Sequence, residues 1–197
     1  LTGPSTFTLL ANRAINFASG VVLNAGSSDV NLVAGWNNSG FSVSPGVGKN
    51  IIFASNSALQ TSGDVWMNAG NSVYSVDTTA VVTANKLTIG NTNGSSLPGG
   101  VDLKGVNMVN TLAVQSDGGG ILNFKNGKAL TIGAGAFGIN GIAAGGNPQP
   151  ISIKTTVGDL TVASGIVSDV LGGATITLEA AGALNINSAI LSTYNAS

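Results

Sequence analysis

One eleven-residue phrase near the end of the chain occurs twice. Gly158–Ser168 returns 24 residues later as Gly182–Ser192, with Gly, Leu, Ser, Ile and Ser recurring in step. Each copy reads as two short strands joined by a small-residue corner, Leu160/Val162 then Ile166, and Leu184/Ile186 then Ile190. A self-similar period of about 20 to 50 residues marks solenoids, propellers and other arrays, because one such unit cannot bury its apolar face alone. This restricts the fold more than any single motif in the chain does.

A longer echo lies in the first half. Ile15-Asn16-Phe17 matches Ile51-Ile52-Phe53 at an offset of 36 residues, and Leu23 matches Leu59. After a one-residue slip, Asp29–Gly35 matches Asp64–Gly70. The slip falls in the turn before the two aspartates, where a deletion disturbs least. Strands are therefore shared between repeats while the loops vary in length.

The same grammar fills the rest of the chain. Phe7–Leu9, Val81–Thr83, Leu87–Ile89, Val101–Leu103, Leu112–Val114, Ile121–Phe124, Leu130–Ile132, Ile151–Ile153 and Thr175–Leu178 are short and mostly alternating. Alternation over a few positions, closed by Gly, Asn, Ser or Asp, is the signature of strands. No segment has helical spacing, and Glu179 is the only Glu. Sandwich strands run about 5–6 residues or more between turns. Here they are broken every six to nine residues or so, as at Ile15, Val21 and Val30. That spacing predicts an all-β parallel β-helix, in which each coil lies about 4.8 Å above the last and pairs with it through its backbone.

In such a coil, inward side chains stack like upon like. The expected ladders are Ile15 on Ile51, Phe17 on Phe53, Leu160 on Leu184 and Ile166 on Ile190, with corner Gly and Asn taking up left-handed backbone and stacked Asn bridging coils. A coil with about six inward side chains gains near 10 kcal/mol, and most of this is offset by the entropy of ordering about twenty residues. Each coil is thus stable only against its neighbours. At roughly 20–24 residues per coil, residues 1–197 form a single segment of about eight or nine coils.

Composition removes several function classes. Charged residues make up 8% of the chain and net charge is −1 with no basic block, so the footprint of a nucleic-acid binder is missing. There is no Cys for a disulfide or thiolate metal site. The longest uncharged run ending at Ile153 is broken by many Gly and by Asn140, Asn147, Pro148, Gln149 and Pro150. It reads as a Gly-rich corner region and not a membrane span, which needs about 20 mostly apolar residues. The chain starts at Leu1 with no signal-peptide pattern, so it is expected to be part of a longer exported protein or a processed filament subunit.

Gly158–Ser168, Gly182–Ser192 and the paired phrases Ala14–Phe17 and Asp29–Leu32 resemble repeats of the filamentous-haemagglutinin family, the large exoproteins of bacterial two-partner secretion. The resemblance implies a right-handed parallel β-helix, export across the outer membrane, an extracellular or cell-surface location, and a role in adhesion or biofilm. The family's secretion domain carries Asn-Pro motifs, and Asn147-Pro148-Gln149-Pro150 is a poor match placed too late. A shaft segment, or a shorter relative, is the reading this leaves.

Catalytic chemistry has little material here. The chain has no His, one Arg (Arg13), and acids scattered at Asp29, Asp64, Asp77, Asp102, Asp117, Asp159, Asp169 and Glu179. Asp29, Asp64 and Asp159 share the slot before a strand's first apolar residue, which is turn chemistry. Stacking would still bring Asp29 near Asp64, so a carbohydrate-active lyase or hydrolase stays as the alternative from a different class. Asp117–Gly120 resembles a fragment of a calcium-binding nonapeptide but does not repeat, so no metal or other cofactor is expected.

The aromatic residues worth testing are Trp36, Trp66 and Tyr74. With Val65 and Met67 inward, Trp66 points out, and an outward aromatic strip stacks on sugar rings or on a partner. The competing and preferred reading is that a loop such as 37–49 folds over Trp36 and Trp66. Asn37, Asn93 and Asn195 each begin a glycosylation sequon, a frequent chance event in a chain so rich in Asn and Ser. The leading expectation is a non-enzymatic adhesive or structural shaft whose partners are a surface glycan or the host or biofilm matrix, with no nucleic acid and no membrane insertion. Its variant is a filament subunit that stacks head to tail with copies of itself.

Overall fold

A computed structural model of the chain describes residues 5–90, 97, 99–116, 118, 120–146, 150–170 and 174–193. Strand β1 (Thr6–Ala11) precedes a first full turn of β2 (Ile15–Phe17), β3 (Val22–Asn24) and β4 (Asp29–Ala34). The second turn is β5 (Ile51–Phe53), β6 (Ala58–Gln60) and β7 (Val65–Ala69). In the third, β8 (Ser72–Ser75) is followed by β9 (Val81–Ile89), which bends across two sides. The fourth is one continuous 17-residue strand, β10 (Gly100–Ser116). The fifth is β11 (Leu122–Asn126), β12 (Leu130–Ile132) and β13 (Ile142–Gly146), and the sixth is β14 (Ile151–Thr155), β15 (Leu160–Val162) and β16 (Ile166–Val170). The seventh is β17 (Ile176–Glu179), β18 (Leu184–Ile186) and β19 (Ile190–Thr193).

Equivalent strands of successive turns pair in parallel, giving a β-solenoid with three faces. No helix occurs among the described residues. The first face runs β2, β5, β8, the start of β10, β11, β14 and β17. The second runs β3, β6, the start of β9, the middle of β10, β12, β15 and β18. The third runs β1, β4, β7, the end of β9, the end of β10, β13, β16 and β19. Seven turns spaced about 4.8 Å apart make a stack roughly 30 Å tall. This is fewer than eight or nine, because successive first-face strands at Ile15 and Ile51 lie 36 residues apart, and those at Leu122 and Ile151 lie 29 apart, with loops taking up the excess.

The expected ladders hold in register. Ile15 pairs with Ile51, Leu160 with Leu184 and Ile166 with Ile190. The rings of Phe17 and Phe53 stack at 4.6 Å with planes 16° apart. One third-face ladder runs the length of the stack through Leu9, Leu32, Met67, Ile89, Val114, Ile142, Ile166 and Ile190. Such stacking gives each inward side chain an apolar neighbour above and below, the contact that drives burial.

Two buried asparagines occupy the interior between the first and second faces. Asn107 Oδ1 accepts the Val82 N–H of the turn below at 2.9 Å, and its Nδ2 donates to the Lys125 carbonyl of the turn above at 3.0 Å. Asn126, its registered partner, accepts the Val109 N–H and donates to the Val109 carbonyl, each at 2.9 Å. Where strands leave the regular ladder, these carboxamides replace the missing backbone partners, as buried polar groups require.

Two strands went unread in the sequence. Strand β13 lies inside the Gly-rich run, where Ile142 is its only large inward residue. The second is β8, whose Val73 sits between Ile51 and Val101. Asp117 and Gly119 of the nonapeptide-like fragment, Asn147–Gln149 and the sequons at Asn93 and Asn195 lie outside the described residues.

Candidate functional site: an aromatic crevice on the third face

Two hairpin tongues leave the coil and fold back over the outside of the third face. The first, between β4 and β5, is closed by an antiparallel bridge from Trp36 to Val43. The second, between β12 and β13, is closed by a bridge from Ala134 to Asn140 and by Gly135 N–H donating to the Ile139 carbonyl at 2.8 Å. The second tongue runs down the stack from the fifth turn. Ala136 N–H donates to Thr88 Oγ1 of the third turn at 2.8 Å, and the Phe137 ring reaches Trp66 of the second.

The alternation of β7 works as the sequence implies. Val65 and Met67 join inward ladders, so Trp66 leaves the coil on the outer side. It is nevertheless only 3% exposed. Phe137 lies on it with ring centres 4.3 Å apart, and Phe41 from the first tongue packs edge-on at 5.4 Å. The two phenylalanines meet at 6.0 Å. Trp66 Nε1–H donates to the Gly90 carbonyl at 2.8 Å, which satisfies the polar handle of a buried indole. The loop reading of Trp66 is thus the one observed, and an open Trp66 strip is not. Phe41 and Phe137 stay partly exposed, Phe137 at 49%.

Trp36 does not join this cluster. It sits half-buried at the base of its own tongue, with Nε1–H donating to the Gly40 carbonyl at 2.9 Å and its carbonyl accepting from Asn12 Nδ2 at 3.0 Å. Tyr74 lies on the first face, in an outward ladder between Ile52 and Asp102. The three aromatics therefore do not form one strip, since Tyr74 and Trp66 belong to different sides of the solenoid. The residues missed in the sequence were Phe41 and Phe137, the tips of the tongues. A lone aromatic amid Gly, Ser and Ala in an over-long loop was the available signal.

Beside the cluster lies a crevice of about 210 Å³, lined by Thr6, Asn31, Val65, Trp66, Phe137 and the carboxylates Asp29 and Asp64. The two carboxylates do stack, and both are engaged. Asp29 Oδ1 accepts the Asp64 N–H at 2.8 Å. Asp64 accepts from Asn85 Nδ2 at 2.8 Å and lies 3.8 Å from Lys86 Nζ. A shallower groove of about 530 Å³ follows the corner between the second and third faces and is lined by Asn24, Gln60, Thr83, Asn85, Asn110 and Lys128. It has no aromatic wall, and Asn110 and Asn85 bond to each other across it at 3.2 Å.

Every described carboxylate whose side chain is placed has a structural partner. Asp159 accepts the Ala183 N–H at 2.8 Å, Asp102 accepts from Asn123 Nδ2 at 2.9 Å, and Glu179 pairs with Lys154. Asp77 accepts the N–H and hydroxyl of Thr79 at 2.8 and 2.6 Å. Hydrogen bonds from Ser55 first, and then from Thr79, hold the Asp77 carboxyl below the usual aspartate value. Among the described residues no group of three or more His, Cys, Asp and Glu could hold a metal, and no helix is long and apolar enough to cross a membrane.

No protein-family model, curated protein or solved structure matches the chain.

Proposed function

We propose that the chain is a non-enzymatic, exported β-solenoid that serves as the shaft of a bacterial adhesin or surface fibre of the filamentous-haemagglutinin type, with glycans or matrix as its partners. The observation that carries this reading is the employment of the acids. Asp29, Asp64, Asp102, Asp159 and Glu179 each bond to the neighbouring turn, and Asp77 bonds both to Ser55 of the turn below and to Thr79 of its own corner. Glycoside hydrolysis asks for two carboxyl groups placed for a bond between them, whereas these side chains serve the stack. The long inward ladders support a role in reach and stiffness.

The test couples retention on polysaccharide-coated surfaces with a turnover screen. Retention without product is the expected result. Reproducible product formation that disappears in Asp29→Asn and Asp64→Asn would reverse the reading in favour of a carbohydrate-active enzyme. Head-to-tail assembly is a second reading, favoured by the exposure of inward apolar rungs at both ends of the described stack, Phe7 of β1 and Leu184 and Ile186 of the last turn. Sedimentation at high concentration tests it: a species that grows with concentration is expected, and a monodisperse monomer would eliminate self-stacking.

A further inference from the structure

We propose that the crevice between Phe137 and the Asp29/Asp64 corner binds a single pyranose ring carrying no negative charge, that is, a neutral or amino sugar. The proposal rests on the adhesive reading and names the place where a glycan would be held.

Three features of the crevice bear on ligand class. Its aromatic wall is partly open: Phe137 is half exposed at the tip of its tongue, and Trp66 forms the back of the pocket. The C–H face of a pyranose is apolar and packs on such a ring, while the sugar's rim is polar. The opposite wall supplies both donors and acceptors. The carboxamide of Asn31 and the hydroxyl of Thr6 make no hydrogen bond among the described residues, and Asp29 uses only Oδ1 for the Asp64 N–H. Vicinal sugar hydroxyls each donate and accept, so they match a carboxylate next to a carboxamide. Finally, the volume of about 210 Å³ is small for a pocket and suits one ring, not a longer oligomer.

Charge sets the specificity. Of the two carboxylates, Asp64 has Lys86 at 3.8 Å, while Asp29 has no cation within ion-pair distance among the described residues. An anionic sugar would meet uncompensated negative charge, and an amine would be drawn to it. The polar groove on the neighbouring corner lacks an aromatic wall and contains Lys128, so it would rank ligands differently.

The experiment titrates the intact protein with methyl β-glucoside, methyl β-galactoside, methyl α-mannoside, methyl 2-amino-2-deoxy-β-glucoside and methyl β-glucuronide. Binding is followed by saturation-transfer NMR and by indole fluorescence in a Trp36→Phe background. At least one neutral or amino glycoside is expected to saturate with a Kd of about 1 mM, the range open to so few contacts, and the glucuronide is not. Phe137→Ala and Asn31→Ala should each weaken binding about tenfold, and Gln60→Ala and Lys128→Ala in the other groove should leave it unchanged. No saturation by any uncharged or amino probe, preference for the glucuronide, or indifference to both crevice variants would each overturn the site. Retention on polysaccharide that survives both variants would overturn this site alone, while absence of retention in the unaltered protein would overturn the adhesive reading as well.

Discussion

The carboxylate of Asp29 accepts the backbone N–H of Asp64, its counterpart one turn up, at 2.8 Å. Asp159 does the same for Ala183, 24 residues further along. In both cases a side chain caps the start of the strand above it, much as an N-cap residue satisfies an orphan amide of a helix. Asp29→Ala is therefore expected to lower stability by about 1.5 kcal/mol, the more exposed Asp159→Ala by about 0.5 kcal/mol, and Asp29→Asn by less than Asp29→Ala, since an amide oxygen can still accept. Denaturant midpoints of the three variants measure this, and equal losses for Asn and Ala would show that the bond is not the source.

Position along a ladder sets the cost of cutting it. Leu160 is fully buried between Leu130 and Leu184, whereas Leu184, in the last described turn, is 42% exposed. Leu160→Ala should cost about 2–5 kcal/mol through lost transfer energy and cavity. Leu184→Ala should cost about 1 kcal/mol. Chemical denaturation of the pair decides it. Equal costs would mean that Leu184 is covered in solution.

Asn126 serves three groups at once, the N–H and carbonyl of Val109 and the carbonyl of Lys128. Asn126→Leu, close in size but without polar atoms, strands a buried N–H and two carbonyls. A loss of about 3 kcal/mol is expected, together with faster amide exchange at Val109. Unchanged exchange at that amide would contradict the assigned role.

The parts legible in the sequence were those where two turns use the same residues for the same purpose. Ile15/Ile51, Leu23/Leu59 and Asp29/Asp64 lie in register because like side chains stack on like. The polar bridge was harder to see, because Asn107 and Asn126 stack from turns of different local shape, and the offset of 19 residues between them matches neither echo. Strand β10 reads in the sequence as two strands, Val101–Leu103 and Leu112–Val114, whereas the structure carries it around both bends as one strand with a register shift between Leu103 and Asn107. Of the aromatic cluster, only the cover of Trp66 by the 37–49 loop is legible in the sequence, with Phe41 as the contact the structure shows. Phe137 meets Trp66 across 71 residues of chain, and nothing local to either position encodes where a tongue will lie.

The second tongue is seated by a close approach at Gly135. A Cβ there would lie 2.6 Å from both Ala113 Cβ and Thr88 Oγ1. Gly135→Ala should lift the tongue and uncover Trp66. In a Trp36→Phe background, indole emission is expected to shift to the red and acrylamide quenching to rise, with Phe137→Ala changing both in the same direction. Emission that stays put in both variants would place the tongue elsewhere.

Asp77 offers a pH test. Because its folded carboxyl lies below the ordinary value, the stability it contributes is present above about pH 4 and is lost as pH falls through the lowered folded value. Asp77→Asn should flatten that part of the acid limb in stability measured between pH 5 and pH 2. An acid limb identical to that of the parent would remove Asp77 from the account.

The second tongue also has a mechanical consequence. A coil held only by its rungs peels one layer at a time when pulled lengthwise. Phe137, anchored in the fifth turn and lodged against the second, staples the layers between them into one unit that must yield together. The sixth and seventh turns at one end, and β1 with the first turn at the other, lie beyond that staple and give way before it under tension along the axis, so a pull that frees Asp29 and Asn31 opens the crevice while Trp66 and Phe137 still hold together.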